Sequence, residues 1–103
     1  MEGGILIELA KANVRPSLLR FAIEMEKQLK RNDHKGGWSD IEDPVLLRYL
    51  SHKIQEVEDI VQYETSSFLT ESDIKVIIKK CADIGNYAMM IADNHSDKED
   101  GDK

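Results

Sequence analysis

Three stretches of the chain carry apolar residues every three or four positions, the period that places them on one face of a helix. No strand-like alternation of comparable length appears in the sequence. The first stretch covers about residues 17 to 31, and Pro16 precedes it at a position where a helix does not need the missing N–H. Its apolar face consists of Leu18, Phe21, Ala22, Met25 and Leu29. The pattern predicts an all-α fold.

The sequence marks the N-terminal ends of the second and third predicted helices clearly. Asp43-Pro44 predicts a helix start with Asp43 as the N-cap residue. Thr70-Glu71-Ser72-Asp73 has the pattern of a capping box and predicts the start of a third helix, which should end near Asn94. The predicted seams are Leu47, Leu50, Ile54, Val57 and Val61 in the second helix, and Ile77, Cys81, Ile84, Ala88 and Ile91 in the third. Seams with this spacing pack against other helices.

The two ends of the chain differ from this helical region. Residues 95–103 contain four acidic residues, two lysines and no apolar residue. Such a segment cannot bury enough surface to offset its ordering entropy, so we predict a disordered acidic tail. Residues 1–16 form an N-terminal arm with room for a short helix at residues 5 to 14. The predicted organisation is therefore an arm, a helical domain at 17–94, and a tail.

Composition narrows the functional classes. The chain has 103 residues, enough for one domain, and its net charge is −6. An acidic sequence without a basic stripe is a poor candidate for general nucleic-acid binding, which needs many phosphate contacts. No apolar run is long enough for a membrane span or a signal peptide, so no membrane partner is expected. Cys81 is the only cysteine, which excludes an intrachain disulfide and favours a cytoplasmic location.

The loop between the first two helices contains two adjacent glycines and the only tryptophan, Trp38. In one interpretation Gly36 or Gly37 ends the first helix and Trp38 closes one end of the core. In the other, the loop is the rim of a ligand site, with glycine backbone near a phosphate, Lys35 supplying charge and Trp38 near a base. The sequence leaves both interpretations open.

Two pairs of charged residues lie one turn apart on the second and third helices. Lys53 and Glu56 share one face of the second helix, and Lys80 and Asp83 share one face of the third. Both carboxylates lie beside an apolar seam, and a half-buried carboxylate needs a metal, a cation or hydrogen bonds. The simplest arrangement is a salt-bridge layer in which each lysine pairs with a carboxylate along or across the helices.

Taken together, these motifs resemble the MazG-like, all-α nucleoside triphosphate pyrophosphohydrolases, especially their short phage and prokaryotic members. The resemblance covers about residues 18 to 94. The residues that carry it are Asn32-Asp33-His34-Lys35-Gly36-Gly37-Trp38, then Lys53-x-x-Glu56, and then Cys81-Ala82-Asp83-Ile84-Gly85-Asn86-Tyr87-Ala88-Met89-Met90-Ile91-Ala92-Asp93.

The resemblance implies a helical bundle completed by dimerisation, as a homodimer or homotetramer. It also implies Mg²⁺-dependent hydrolysis of (d)NTPs to the monophosphate and pyrophosphate, because Mg²⁺ takes carboxylate oxygens and gathers the phosphates. Glu56 and Asp83 then fall on catalytic, metal-binding positions. The residues expected to bind the nucleotide are Lys35, Trp38, Lys53, Lys80 and Asn86.

The chain departs from the family at two metal-ligand positions, where Lys53 and Lys80 stand in place of glutamates. Two unit charges 4 Å apart interact by about 4 kcal/mol at an effective dielectric near 20, so two added cations should weaken or abolish Mg²⁺ binding. Three functions follow as hypotheses: a pyrophosphohydrolase with a reduced metal site, a non-catalytic nucleotide binder, or a structural or interaction module with a closed cleft.

Overall fold

The computed structural model describes residues 13–64 and 69–96, and within them it contains three α-helices, a short 3-10 turn and no strand. The elements in chain order are α1 (Pro16–Arg31), the 3-10 turn (Asp33–Lys35), α2 (Asp43–Glu64) and α3 (Glu71–Asn94). The prediction of an all-α protein with three main helices is confirmed. Most of the predicted N-terminal arm and of the acidic tail lies outside the described residues.

Helix α3 is the central element, because α1 and α2 each pack against it and not against each other within the described part of the chain. Gly85 allows α1 to lie close to α3. A Cβ at Gly85 would stand 3.0 Å from the Phe21 ring and 3.3 Å from the Met25 sulfur. The central position of α3 means that its side chains meet groups from both neighbouring helices.

The start of α3 follows the capping-box prediction. The backbone N–H of Asp73 donates to the Thr70 hydroxyl at 3.0 Å, and the Thr70 N–H donates to the Asp73 carboxylate at 3.1 Å. These two bonds satisfy donors that the first turn of a helix otherwise leaves unpaired. The helix ends at Asn94, also as predicted.

The start of α2 differs by one residue from the prediction. The N–H groups of Val45 and Leu46 both donate to the carbonyl of Glu42, so Glu42 and not Asp43 occupies the N-cap position. Asp43 lies in the first helical turn, where its negative charge suits the helix dipole. Its carboxylate also contacts His95 Nε2 at 2.7 Å, which ties the start of α2 to the end of α3.

The packed face of α2 is rotated relative to the predicted seam. Three of the predicted seam residues are largely exposed: Leu47 (51%), Ile54 (46%) and Val61 (41%). The prediction that these three pack against other helices is wrong within the described part of the chain. On α2 the residue with no exposed surface is Leu46, which the predicted seam omitted. The residues that face inward follow the same steps of three and four and are Leu46, Leu50, Lys53, Val57 and Ile60. Lys53 thereby lies on the side that faces α3.

The apolar core of the described residues is small, since Leu46 and Ala82 are the hydrophobic residues that are fully buried in it. Two polar residues, Gln28 and Asn86, are also buried. The described helices include none that is long and apolar enough to cross a membrane.

Candidate functional site

A cavity of about 610 Å³ opens where the loop after α1 meets α2 and α3. Three aromatic residues, Trp38, Tyr49 and Tyr87, line it, and we call it the aromatic cavity. The loop residues Lys35, Gly36 and Gly37 line it as well, together with Lys53, Asp83 and Asn86. Five of the seven residues proposed from the sequence as catalytic or nucleotide-binding therefore border one space: Lys35, Trp38, Lys53, Asp83 and Asn86.

The loop is held in place by the last residues of α3. The indole N–H of Trp38 donates to the Asp93 carboxylate at 2.9 Å. The Asn94 amide donates to the Trp38 carbonyl at 3.0 Å and to the Ile41 carbonyl at 3.5 Å. Sequence reasoning gave no role to Asp93 or Asn94. These contacts fix Trp38 at the edge of the cavity.

The two glycines of the loop line the aromatic cavity, and neither of them ends α1. Helix α1 ends at Arg31, and its C-cap residue is Asn32, whose side chain donates to the Gln28 carbonyl at 3.0 Å. Gly36 ends the 3-10 turn instead, with φ at 90°, a conformation that favours glycine. A Cβ at Gly37 would meet nothing within 4 Å, so packing inside the chain does not require a glycine there. The open space leaves the backbone accessible from the cavity.

Tyr49 and Tyr87 form a tilted ring pair in the cavity wall, with centroids 5.5 Å apart. Burial raises the pKa of the Tyr87 hydroxyl above its usual value, and the charge of Asp83 raises it further. The hydroxyl therefore stays protonated at neutral pH and is available as a hydrogen-bond donor to an anionic or carbonyl oxygen.

Asn86 carries a polar atom that nothing in the described structure satisfies. The residue is 3% exposed, and its amide nitrogen donates to the Met25 carbonyl at 3.0 Å. That bond fixes the orientation of the amide and leaves the carbonyl oxygen without a partner. Leaving a buried acceptor unpaired costs about 1–3 kcal/mol. Since Asn86 also lines the aromatic cavity, a donor brought by a ligand or by water would remove that cost.

The two lysine–carboxylate pairs form one continuous ionic chain across α2 and α3. Lys80 Nζ lies 2.7 Å from Glu56 Oε1, while Lys53 Nζ lies 3.6 Å from Glu56 Oε1 and 3.6 Å from Asp83 Oδ2. The predicted salt-bridge layer is confirmed. The hydrogen bond from Lys80 lowers the pKa of Glu56 below its usual value, and the charge of Lys53 lowers it further, against the opposing effect of burial.

These four side chains do not fit a magnesium ion as they stand. Mg²⁺ requires several oxygen ligands around one point, and here the Lys53 ammonium lies between the carboxylates of Glu56 and Asp83. The described residues contain no group of three or more histidine, cysteine, aspartate or glutamate side chains that could hold a metal ion.

A second cavity of about 390 Å³ adjoins the first and shares Lys53 and Asp83 with it. Lys80, predicted to bind the nucleotide, lines this second cavity, and Glu56 is joined to the group through its bond to Lys80. Two further cations, Arg31 and Lys79, also line it. Neither residue was predicted from the sequence as part of the site. The sequence contains only weak indications of them: Arg31 is in the last turn of α1, and Lys79 directly precedes Lys80.

Comparison with protein-family models, with curated proteins and with solved structures finds no match for this chain. The resemblance to MazG-like enzymes therefore remains a prediction based on the motifs themselves, and every functional statement that depends on it is a proposal.

Proposed function

We propose that this chain is a MazG-like protein that binds a nucleotide in the aromatic cavity and holds the phosphates with lysines in place of a divalent metal. The observation that carries the proposal is the unpaired carbonyl oxygen of Asn86. The oxygen is buried, the orientation of the amide is fixed by its bond to Met25, and Asn86 is one of the residues that line a cavity with aromatic rings and ammonium groups.

The aromatic side of the cavity suits a base. Trp38, Tyr49 and Tyr87 offer ring faces and edges, and stacking of a base on an aromatic side chain is worth about 1–3 kcal/mol. The Asn86 carbonyl would accept a hydrogen bond from an amino or imino group of the base, or from a ribose hydroxyl. A nucleotide supplies both a stacking surface and a donor, whereas a simple phosphate has no stacking surface.

The ionic side suits phosphates. Lys35 and Lys53 line the aromatic cavity, and Lys80 lines the adjoining one, so three ammonium groups border the path of a phosphate chain. Hydrogen bonds from an ammonium to a phosphate oxygen are charge-assisted and stronger than neutral ones. A bound phosphate would compete with Glu56 and Asp83 for these lysines, and the partial exposure of the ionic chain limits the cost of that exchange.

A second candidate is the interaction module with a closed cleft, which the 2.7 Å contact between Lys80 and Glu56 favours. If the lysines serve only to neutralise the carboxylates, the cleft binds no nucleotide. An active pyrophosphohydrolase would need Glu56 and Asp83 to recruit Mg²⁺ with the substrate, and the lysine between them opposes that.

The proposal includes self-association as a homodimer or homotetramer. Leu47, Ile54 and Val61 repeat every seven residues on α2 and remain largely exposed. An apolar stripe with this spacing is the seam that a second helix covers. The small core of the described residues also favours burial against a second copy of the chain.

One assay separates the candidate functions. The purified protein is titrated calorimetrically with each NTP, dNTP and monophosphate, in EDTA and then with Mg²⁺ or Mn²⁺, and pyrophosphate release is measured in parallel. We expect binding in EDTA without pyrophosphate release. Release of pyrophosphate would indicate a working enzyme, and the absence of both binding and release would leave the interaction module.

Matched variants assign the binding to the site. Lys53→Met and Lys80→Met keep much of the side-chain volume but remove the charge, and each should weaken nucleotide binding about tenfold, the equivalent of ~1.4 kcal/mol. Arg48→Met removes a charge from an exposed position of α2 and should leave affinity unchanged. Equal effects of all three changes would show that only overall charge matters and would contradict the proposed site.

A further inference from the structure

A groove of about 620 Å³ lies between α1 and α3 and is lined mainly by basic residues. We call it the basic groove and define it by Lys27, Lys30 and Arg31 of α1 and Lys75 and Lys79 of α3. Glu24 is the acidic residue among its described lining residues, and its contact with Lys27 is long, at 3.9 Å. The groove is therefore strongly cationic in a chain whose net charge is −6.

The basic groove is continuous with the proposed nucleotide site. Arg31 and Lys79 line both the groove and the 390 Å³ cavity, which in turn shares Lys53 with the aromatic cavity. Eight of the 14 lysines and arginines in the sequence border these three connected spaces, against two acidic residues, Glu24 and Asp83. The fold thus assembles from three helices a basic path that the linear sequence does not display.

Helix stability explains the cations of α1 in the basic groove but not those of α3. Lys30 and Arg31 suit the last turn of α1, where cations complement the helix dipole. Lys75 and Lys79 lie in the first half of α3, nearer the end where the dipole favours anions, and they face the cations of α1. Mutual repulsion of like charges is relieved when an anion binds between them.

The length of the path exceeds that of one nucleotide. Lys75 and Tyr87 are twelve residues apart on α3, about 18 Å at a rise of 1.5 Å per residue. With roughly one phosphate per 3.4 Å along a stacked strand, that distance accommodates about five phosphates. The aromatic cavity at one end accepts a base, and the basic groove continues past the phosphates of a single nucleotide.

We propose that the physiological ligand is the end of a short single-stranded nucleic acid, with its terminal nucleotide in the aromatic cavity and its backbone along the basic groove. The base-binding end of this inference rests on the proposed function. Continuity with the aromatic cavity favours a nucleic acid over an acidic peptide, which has no base to place there. The acidic remainder of the chain and the short path oppose binding along a duplex, in keeping with the expectation from composition.

The test compares a labelled single-stranded hexanucleotide with the matching mononucleotide by fluorescence anisotropy and competition at several salt concentrations. We expect the hexamer to bind at least tenfold more tightly. A plot of the logarithm of the hexamer binding constant against the logarithm of the salt concentration should have a slope of about −3. This value follows from roughly −0.7 per phosphate contact and about four contacts. The double variant Lys27→Glu/Lys75→Glu, at two residues that line only the basic groove, should lose the hexamer advantage and about half of the slope while keeping mononucleotide binding.

The control is Arg20→Glu/Arg48→Glu, which changes net charge equally at exposed positions outside the three spaces and should behave as wild type. Equal affinity for hexamer and mononucleotide, or an unchanged hexamer advantage in the Lys27→Glu/Lys75→Glu variant, overturns the inference and leaves the proposed function standing. Displacement of the hexamer by polyglutamate or inorganic polyphosphate of equal charge, with no mononucleotide binding, overturns both. Failure of all probes to bind does the same.

Discussion

At the residue scale, the ionic chain through Lys53 combines features that the sequence predicts and features that only the fold creates. Residues three apart on a helix share a face, so the pairing of Lys53 with Glu56 follows from spacing alone. The contact of Lys53 with Asp83 depends on which face of α2 meets α3, and the predicted seam placed that face incorrectly. Local pairs are therefore predictable, whereas their joining across helices is not.

The lowered pKa of Glu56 predicts a pH dependence of stability. A carboxyl group whose pKa is lower in the folded state stabilises the protein above its unfolded pKa, and the contribution disappears as pH falls through the folded pKa. Glu56→Gln should therefore reduce the free energy of unfolding near pH 7, and this reduction should shrink as pH falls below the unfolded pKa and through the folded one. Because Glu56 is 45% exposed, the reduction should be at most about 1 kcal/mol.

Urea unfolding of wild type and Glu56→Gln between pH 7 and pH 3 measures this difference. Asp40→Asn, which neutralises an exposed carboxylate in the loop before α2, is the control and should show no comparable pH-dependent loss. A loss of stability in Glu56→Gln that stays constant down to pH 3 would mean that the glutamate acts through packing and not through its charge.

The metal-ligand hypothesis makes a second prediction at this scale. The variant Lys53→Glu/Lys80→Glu places carboxylates at all four positions of the ionic chain, so it should bind Mg²⁺ or Mn²⁺ more tightly than wild type. In EDTA the variant should be less stable than wild type, because four carboxylates repel one another, and the metal should raise its melting temperature. Calorimetric titration and thermal unfolding with and without metal provide the two measurements.

The matched control is Arg20→Glu/Arg48→Glu, which makes the chain equally more negative away from the site. If metal binding improves as much in the control, the gain is a general effect of charge. If it improves in neither variant, the assignment of Lys53 and Lys80 to ligand positions is wrong, and the resemblance loses its main functional consequence.

At the element scale, helix starts were easier to predict than helix faces. The capping box at Thr70 is a local pattern in which both partners lie within four residues, and the structure has both of its hydrogen bonds. The inward face of α2 is set by contact with α3. The buried stripe through Leu46 and the exposed stripe through Leu47 have similar spacing, so the sequence pattern alone does not distinguish them. The support of Trp38 by Asp93 joins residues 55 positions apart, which no local pattern indicates.

Removal of the capping box at the start of α3 should lower the free energy of unfolding. Thr70→Ala deletes the hydroxyl that accepts from the Asp73 N–H, and the loss of such a cap costs about 1 kcal/mol of unfolding free energy. Ser72→Ala, an exposed change inside the same turn, should be close to neutral. Urea unfolding at neutral pH compares the two. Equal losses would show that the first turn of α3 is stabilised by something other than the cap.

At the scale of the whole molecule, the exposed stripe of α2 and the small core have one common explanation. Helix α3 has neighbours on two sides, whereas the outer edge of α2 presents Leu47, Ile54 and Val61 without cover from any other described part of the chain. A repeated apolar stripe on a protein surface is rarely left open unless another molecule covers it. Self-association through α2 would extend the core that a single chain leaves incomplete.

If chains associate through α2, one charge in the exposed stripe should dissociate the oligomer. Ile54→Glu places a carboxylate at the centre of the stripe, where its desolvation opposes association, so sedimentation should shift from dimer or larger to monomer at micromolar concentration. His52→Glu adds a carboxylate on the opposite side of the same helix and should keep the wild-type oligomer. Because Ile54 is already 46% exposed within one chain, its substitution should leave the helical circular dichroism of the monomer intact. If the Ile54→Glu variant remains associated, the contact between chains lies elsewhere. If the wild-type protein sediments as a monomer, it does not self-associate at this concentration and the proposed contact is wrong.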